Sequence, residues 1–195
     1  MEDTLFNNVA NFAYELGQQR EVGRSGWRLI RASQEPLGCH VVRAAQIAYV
    51  LACAEGLQSP EKVAAAVLFH DVHECRGTDI DKVAARYIVF DEHRAIEDQI
   101  KPLGDIGEKI HALWKLTEER QGKEGLIAKD ADYLEMVVRA RELEVQGFPE
   151  ARNWIENVGS ALATDSAKKL FAALLEVHPN DWWKGLKKLS KEPVR

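Results

Sequence analysis

The stretch Val63-Ala64-Ala65-Ala66-Val67-Leu68-Phe69-His70-Asp71 decides the fold. Seven consecutive apolar residues read as a buried helix. Ser59-Pro60-Glu61 just before them offers a cap, a proline for the first helical position and an acid for the first turn. The run ends in two polar groups, and desolvating an unpaired carboxylate costs on the order of several kcal/mol. His70 and Asp71 therefore need a partner inside the fold. The helix is expected to reach about Glu74 and to stop before Gly77.

The same helical character extends outward in both directions. Residues 3–19 carry Leu5, Phe6, Val9, Phe12, Ala13 and Leu16 at three- and four-residue spacings, the pattern of an amphipathic helix. Residues 20–31, with two glycines and four arginines, read as a loop closed by Pro36 and Gly38, and 40–55 as an apolar central helix. Further helices are expected at about 80–88, 91–101, 106–121, 124–146, 150–158, 165–177 and 180–189, punctuated by glycines and Pro149. Alternating strand patterns, internal repeats and linkers are absent. The expectation is one all-α domain over 1–195, a bundle of roughly nine or ten helices. Its core is expected at about 20–146, with C-terminal helices at 150–189 packing on it.

Bulk properties narrow the function classes. A chain of 195 residues can bury a real core. Its net charge of -5 argues against a DNA- or RNA-polymer binder, which needs a dominant basic surface. A small phosphorylated substrate stays open, because a metal and a few local arginines supply a positive field. No apolar stretch is read as long enough to span a bilayer, and Met1-Glu2-Asp3-Thr4 lacks a signal-peptide layout. Cys39, Cys53 and Cys75 form neither a disulfide framework nor a Cys-x-x-Cys site. A cytoplasmic, reduced setting is expected.

Two more candidate ligands accompany the doublet: His40 at the head of the central helix, and Asp132 flanking the face defined by Ala128, Ala131, Leu134 and Val138. Histidine and aspartate together suit Mn, Co, Fe, Zn or Mg rather than a soft metal. Helical spacing turns His70, Asp71 and Glu74 toward one cleft. Glu74 is placed to act on an attacking water rather than to bind the ion. Gly77 permits a turn that swings Asp79 to the same cleft; alternatively Asp79 caps a helix starting near Ile80. Asp130, about 200° from Asp132 around the helix, is expected to face solvent.

These residues resemble the HD-domain phosphohydrolases, and within them the YfbR-like 5'-deoxynucleotidases. The matching stretches are Arg24-Ser25-Gly26-Trp27, His40, Phe69-His70-Asp71-Val72-His73-Glu74, Thr78-Asp79-Ile80 and Lys129-Asp130-Ala131-Asp132-Tyr133-Leu134-Glu135. The resemblance implies an all-helical fold holding one divalent ion through His40, His70, Asp71 and Asp132. It implies that Glu74 assists the attacking water and that Asp79 contacts a water of the metal or the substrate sugar. Trp27 falls where relatives place an aromatic against the nucleoside, unless it is plain core. The implied reaction is hydrolysis of (deoxy)nucleoside 5'-monophosphates, by a protein that is often a homodimer. Two departures stand out: Gly38-Cys39-His40 lacks the acid common before the first histidine, and Gly77-Thr78-Asp79 replaces Thr-Gly-Asp.

Arg20, Arg24, Arg28 and Arg31 against Glu21 give residues 20–31 a local surplus of +3. The arginine fork suits phosphate, and Arg24, beside the matched Ser-Gly-Trp, and then Arg28 are the candidates to bind it. His93 and His111 lie between the doublet and Asp132, which leaves a two-metal HD phosphodiesterase or a nucleotide pyrophosphohydrolase as an alternative. Both histidines are expected to stand outside the site, and His73 to be a nearby proton donor or surface. A metal-stabilised nucleotide-binding protein without turnover is the non-enzymatic alternative. Trp154 and Trp182-Trp183 read as anchors for terminal helices, with Lys184, Lys187 and Lys188 beside the tryptophan pair.

Overall fold

A computed structural model describes residues 2–186. Among them nine α-helices and no strand occur: α1 (Glu2–Leu16), α2 (Leu37–Ala54), α3 (Pro60–Phe69), α4 (Glu74–Gly77), α5 (Glu92–Ile100), α6 (Asp105–Glu118), α7 (Gly122–Val145), α8 (Arg152–Gly159) and α9 (Asp165–Glu176). The all-α reading holds. Helix α7, 24 residues long, packs against α2, α3, α6, α8 and α9. Ile127, Ala128, Ala131, Leu134, Val137 and Ala140 of α7 are fully buried. Each large aliphatic side chain taken out of water contributes roughly 1.5–3 kcal/mol, and Ile127, Leu134 and Val137 make that contribution here.

Two hydrophobic clusters meet at the His-Asp doublet. The larger joins α2, α3 and α7 to α8 and α9; the smaller gathers Val72, Ile96, Ile100, Leu103, Ile110 and Trp114 against Val9, Phe12, Leu16 and Phe69. Val67 belongs to the first and Phe69 and Val72 to the second, so the chain passes from one core to the other through His70 and Asp71.

Several sequence expectations are corrected. Residues 80–88 hold only a single tight turn, Ala84–Arg86, anchored by Asp81, whose carboxylate accepts from the amides of Val83 and Ala84. The helix of residues 60–74 breaks after Phe69 and resumes as α4. Pro60 does open α3, yet the Ser59 side chain makes no capping bond. Residues 25–30, expected as loop, wind into a tight helical turn. Of the helix expected at 180–189, only the turn Asp181–Trp183 is present; residues 187–189, with Lys187 and Lys188, lie outside the described residues. Finally, α2 is by length and composition apolar enough to cross a membrane, with a mean hydropathy of 1.4, contrary to the sequence reading. Its apolar surplus is that of a central helix, with eight of its residues buried against neighbouring elements.

Candidate metal centre

His40 stands in the first turn of α2, His70 and Asp71 follow the end of α3, and Asp132 lies midway along α7. Because these three helices share the main core, their four polar side chains are driven to one point. Nε2 of His40 lies 3.2 Å from Asp132 Oδ1 and 3.6 Å from Asp71 Oδ2. Nε2 of His70 lies 3.1 Å from Asp71 Oδ2 and 3.7 Å from Asp132 Oδ1. Donor atoms of His40, His70 and Asp132 all fall within 4.8 Å of one another.

The outer hydrogen bonds fix both imidazoles for ligation. His70 Nδ1–H donates to the Val67 carbonyl at 2.6 Å, and His40 Nδ1–H to the Glu135 carboxylate. Since carbonyl and carboxylate only accept, each Nδ1 carries a proton, and in the neutral ring each Nε2 presents a lone pair. Both Nε2 atoms are buried and have no hydrogen-bond partner. An orphaned buried acceptor is costly, and here two of them converge beside two carboxylates. That donor set fits a divalent cation of borderline hardness.

The charges are arranged to match. Burial pushes the Asp71 carboxyl up, but His70 and Arg24 outweigh it and hold the group well below the usual carboxylate range. Burial likewise works against an ionised Asp132, and Lys129 with the two histidines overcomes it. Without a cation, Asp132 and Glu135 draw a proton onto His40, and Asp71 and Asp132 onto His70, against the desolvation of both rings. The field that attracts those protons is the field that attracts a metal.

Glu74 opens α4 with Oε2 buried and unpartnered, and burial together with Asp71 and Asp79 pushes its carboxyl up to about 10. It is a protonated acid at neutral pH until a cation enters. Ligand groups deprotonate when a metal binds. Calorimetric titration with manganese at pH 8 is therefore expected to release at least one proton per ion, read from the dependence of the heat on buffer ionisation enthalpy. Equal heats in buffers of different ionisation enthalpy would contradict this charge assignment.

Asp79 accepts from the amide of Ser25 at 2.5 Å and lies 3.7 Å from Arg24, so it caps the turn Ser25–Ile30 across the chain rather than a helix at Ile80. Arg24 also stands 3.5 Å from Asp71. Arg24 and Asp79 thus join the centre, while two other sequence candidates do not. Arg28 is committed to Asp81, at 2.7 and 2.5 Å. Trp27 is only 4% exposed and packs on Trp154 at 5.2 Å in the main core, which leaves no face for a nucleoside.

The departure at Gly77-Thr78 has a steric reason. A Cβ on residue 77 would lie 2.0 Å from Phe90 Cζ, so glycine is needed there. Thr78 then takes φ 62° and ψ 162°, a region nearly reserved for glycine. Relief of about 1–3 kcal/mol, less about 0.5–1 kcal/mol of added backbone entropy, predicts that Thr78→Gly stabilises the protein by roughly 1 kcal/mol. Gly77→Ala is expected to destabilise by about 1–3 kcal/mol through overpacking. Urea unfolding of the two variants checks both signs.

His73, His93 and His111 all pack on Trp114, with ring centroids 6.0, 4.9 and 5.8 Å from it. The Trp114 indole N–H donates to His73 Nδ1 at 3.3 Å, so His73 is a buried aromatic partner rather than surface. Among the described residues no second group of three metal donors forms, and the two-metal arrangement has no support there. Asp130, expected in solvent, is 2% exposed: the loop before α9 covers it, and its carboxylate accepts from Ala163 and Thr164. The 200° separation from Asp132 is right; what lies on that side is protein.

Three residues of the centre had no assigned role in the sequence. Glu135 receives the His40 proton and is itself held by Arg43, whose Nε lies 2.8 Å from Glu135 Oε1. Lys129 lies 3.0 Å from Asp132 Oδ2. The available signal was spacing on α7: Lys129, Asp132 and Glu135 recur every three residues and so share a face.

The HD-domain family profile matches residues 16–174. The curated 5'-deoxynucleotidase HDDC2 of Danio rerio is 30% identical over 150 residues, which are 73% of this chain and 74% of that protein. A crystal structure from genomics work, 32% identical, aligns with a TM-score of 0.76 over 91% of this chain and 99% of its own. A predicted metal-dependent phosphohydrolase of Magnetospirillum magnetotacticum, 18% identical, shares the fold with a TM-score of 0.68 over 90% and 93% of the two chains. With His70-Asp71 between His40 and Asp132 at a buried centre, and a family match over most of its length, this chain belongs to the HD-domain family.

Proposed function

We propose that this protein is a metal-dependent phosphomonoesterase that removes phosphate from (deoxy)nucleoside 5'-monophosphates, deoxyribonucleotides by preference. The observation that carries the reading is the pair of orphaned Nε2 atoms aimed between Asp71 and Asp132, with the unpartnered Glu74 carboxyl nearby. The relative with a 5'-deoxynucleotidase name supports the substrate class. One divalent ion (Mn, Co, Mg, Zn or Fe) held by His40, His70, Asp71 and Asp132 would polarise a phosphoryl oxygen and acidify a neighbouring water. Glu74 takes the proton of the attacking water, and Arg24 donates to phosphate oxygens from its place beside Asp71 and Asp79. Asp79 positions Arg24 and the turn that begins at Ser25, near the substrate sugar. A cytoplasmic homodimer acting as a single unit, with no nucleic-acid polymer as partner, completes the proposal; light scattering tests the dimer.

The test is phosphate release from ribo- and deoxyribonucleoside 5'-monophosphates, 3'-monophosphates and cyclic nucleotides, with EDTA-stripped protein resupplied with each metal. Metal-dependent release confined to 5'-monophosphates supports the reading. Activity on diesters or polyphosphates alone rejects it.

A further inference from the structure

Asp132 divides its carboxylate between two tasks. Oδ1 faces Nε2 of both His40 and His70, whereas Oδ2 faces the Lys129 ammonium at 3.0 Å. Lys129 reaches one other acceptor, Glu118 Oε1 at 3.6 Å. An ammonium has three N–H donors, so one remains after these two carboxylates. The side chain keeps 19% of its surface accessible, enough to meet a bound group.

Arg24 repeats this arrangement on the other ligand carboxylate. Its guanidinium lies 3.5 Å from Asp71, with 17% of the side chain accessible. It comes from the turn before Ser25, and Lys129 from α7, so the two cations reach the centre from different elements. Each ligand carboxylate is thus balanced by one fixed cation. Asp79 beside Arg24 and Glu118 beside Lys129 add negative charge around this ring, so what meets a ligand there is the divalent ion at the histidines together with two fixed cations, one on each side.

We infer that Lys129 and Arg24 form a two-sided clamp for phosphoryl oxygens, and that Lys129 makes the site select a dianionic phosphate group over a monoanionic diester. The inference rests on the metal-dependent phosphatase reading and assigns the group that distinguishes a monoester from a diester. Nothing in the clamp depends on the base or the sugar. Once the cation neutralises Asp71 and Asp132, the ion pairs that hold Arg24 and Lys129 weaken, and their spare N–H groups turn to the ligand. The guanidinium binds as a fork and the ammonium as a point charge.

The experiment is calorimetric binding of inorganic phosphate, a dianion at pH 8, and of dimethyl phosphate, a monoanion, to manganese-loaded protein. The wild type is expected to bind phosphate at least about tenfold more tightly. Lys129→Met is expected to lose about tenfold or more in phosphate affinity and to leave dimethyl phosphate nearly unchanged; Lys129→Arg retains most of the preference. Metal per chain, measured by elemental analysis, stays at the wild-type value in both. Equal wild-type affinity for the two anions overturns the inference whether or not a variant folds. Unchanged phosphate binding in metal-loaded Lys129→Met overturns it too. A wild type that prefers phosphate but releases none from nucleotides would reject the nucleotidase reading and leave the clamp standing.

Discussion

Glu74→Gln is expected to slow phosphate release about 10²–10⁴-fold, the usual contribution of a positioned proton-transfer group. The amide keeps the size of the carboxyl but neither takes nor returns a proton near neutral pH. The proposed reading gives Glu74 a proton-transfer role and not a ligand's, so metal per chain should not change. Steady-state kinetics beside elemental analysis checks both halves of the expectation. A wild-type rate in the variant would remove Glu74 from the proton-transfer role. Loss of metal together with activity would move it among the ligands. The group is suited to this chemistry because its surroundings oppose its charge: burial, Asp71 and Asp79 all favour the protonated acid, and Arg24 and His70 counter them only in part. On the proposed reading, a cation entering beside Asp71 would offset that carboxylate's charge and favour ionised Glu74.

Glu135→Ala is expected to weaken metal affinity about 10–100-fold, the typical effect of removing the partner that orients a ligating histidine. It is also expected to destabilise the fold by about 3 kcal/mol, since one member of a buried charged network is lost while the others stay. Glu135 is 1% exposed and holds both the His40 ring and the Arg43 guanidinium. Arg43 keeps Glu142 at 2.8 Å, which places the cost at the low end of the range for breaking a buried pair. His40 has no substitute acceptor for Nδ1–H, so its ring loses both tautomer and orientation. Metal titration and urea unfolding measure the two effects separately. Glu135→Gln, which keeps an acceptor at the same position, should lose less in both. Wild-type metal affinity in Glu135→Ala would show that the histidine is oriented by packing alone.

The all-α fold and the centre's main residues were legible because each rests on a local signal. A seven-residue apolar run has to be buried, and two polar groups at its end have to be used. Glu74 followed from its helical spacing to that doublet, His40 from its place at the head of the apolar central helix, and Asp132 from the buried face it flanks. The proposed phosphate contact at Arg24 was legible only as one of four arginines, and the place of Trp27 in the core only as one of two alternatives. Nothing along the chain distinguishes an arginine facing Asp71 from one facing Asp81, or a tryptophan in a cleft from one packed on Trp154.

What the sequence determined by itself is the class of fold, the burial of α3 and the need of His70 and Asp71 for an interior partner, all consequences of desolvation acting over a few consecutive residues. What only the tertiary structure decided is which polar groups meet. The meeting of α2 and α7 gave Glu135 to His40, and the turn before Ser25 brought Arg24 to Asp71. The loop before α9 turned Asp130 from an expected surface acid into a buried capping group. Phe90, pressed on Gly77, moved the strained backbone to Thr78. Each of these joins residues whose spacing along the chain carries no information about their distance in space, because burial fixes that a polar group must be paired and packing alone fixes with whom.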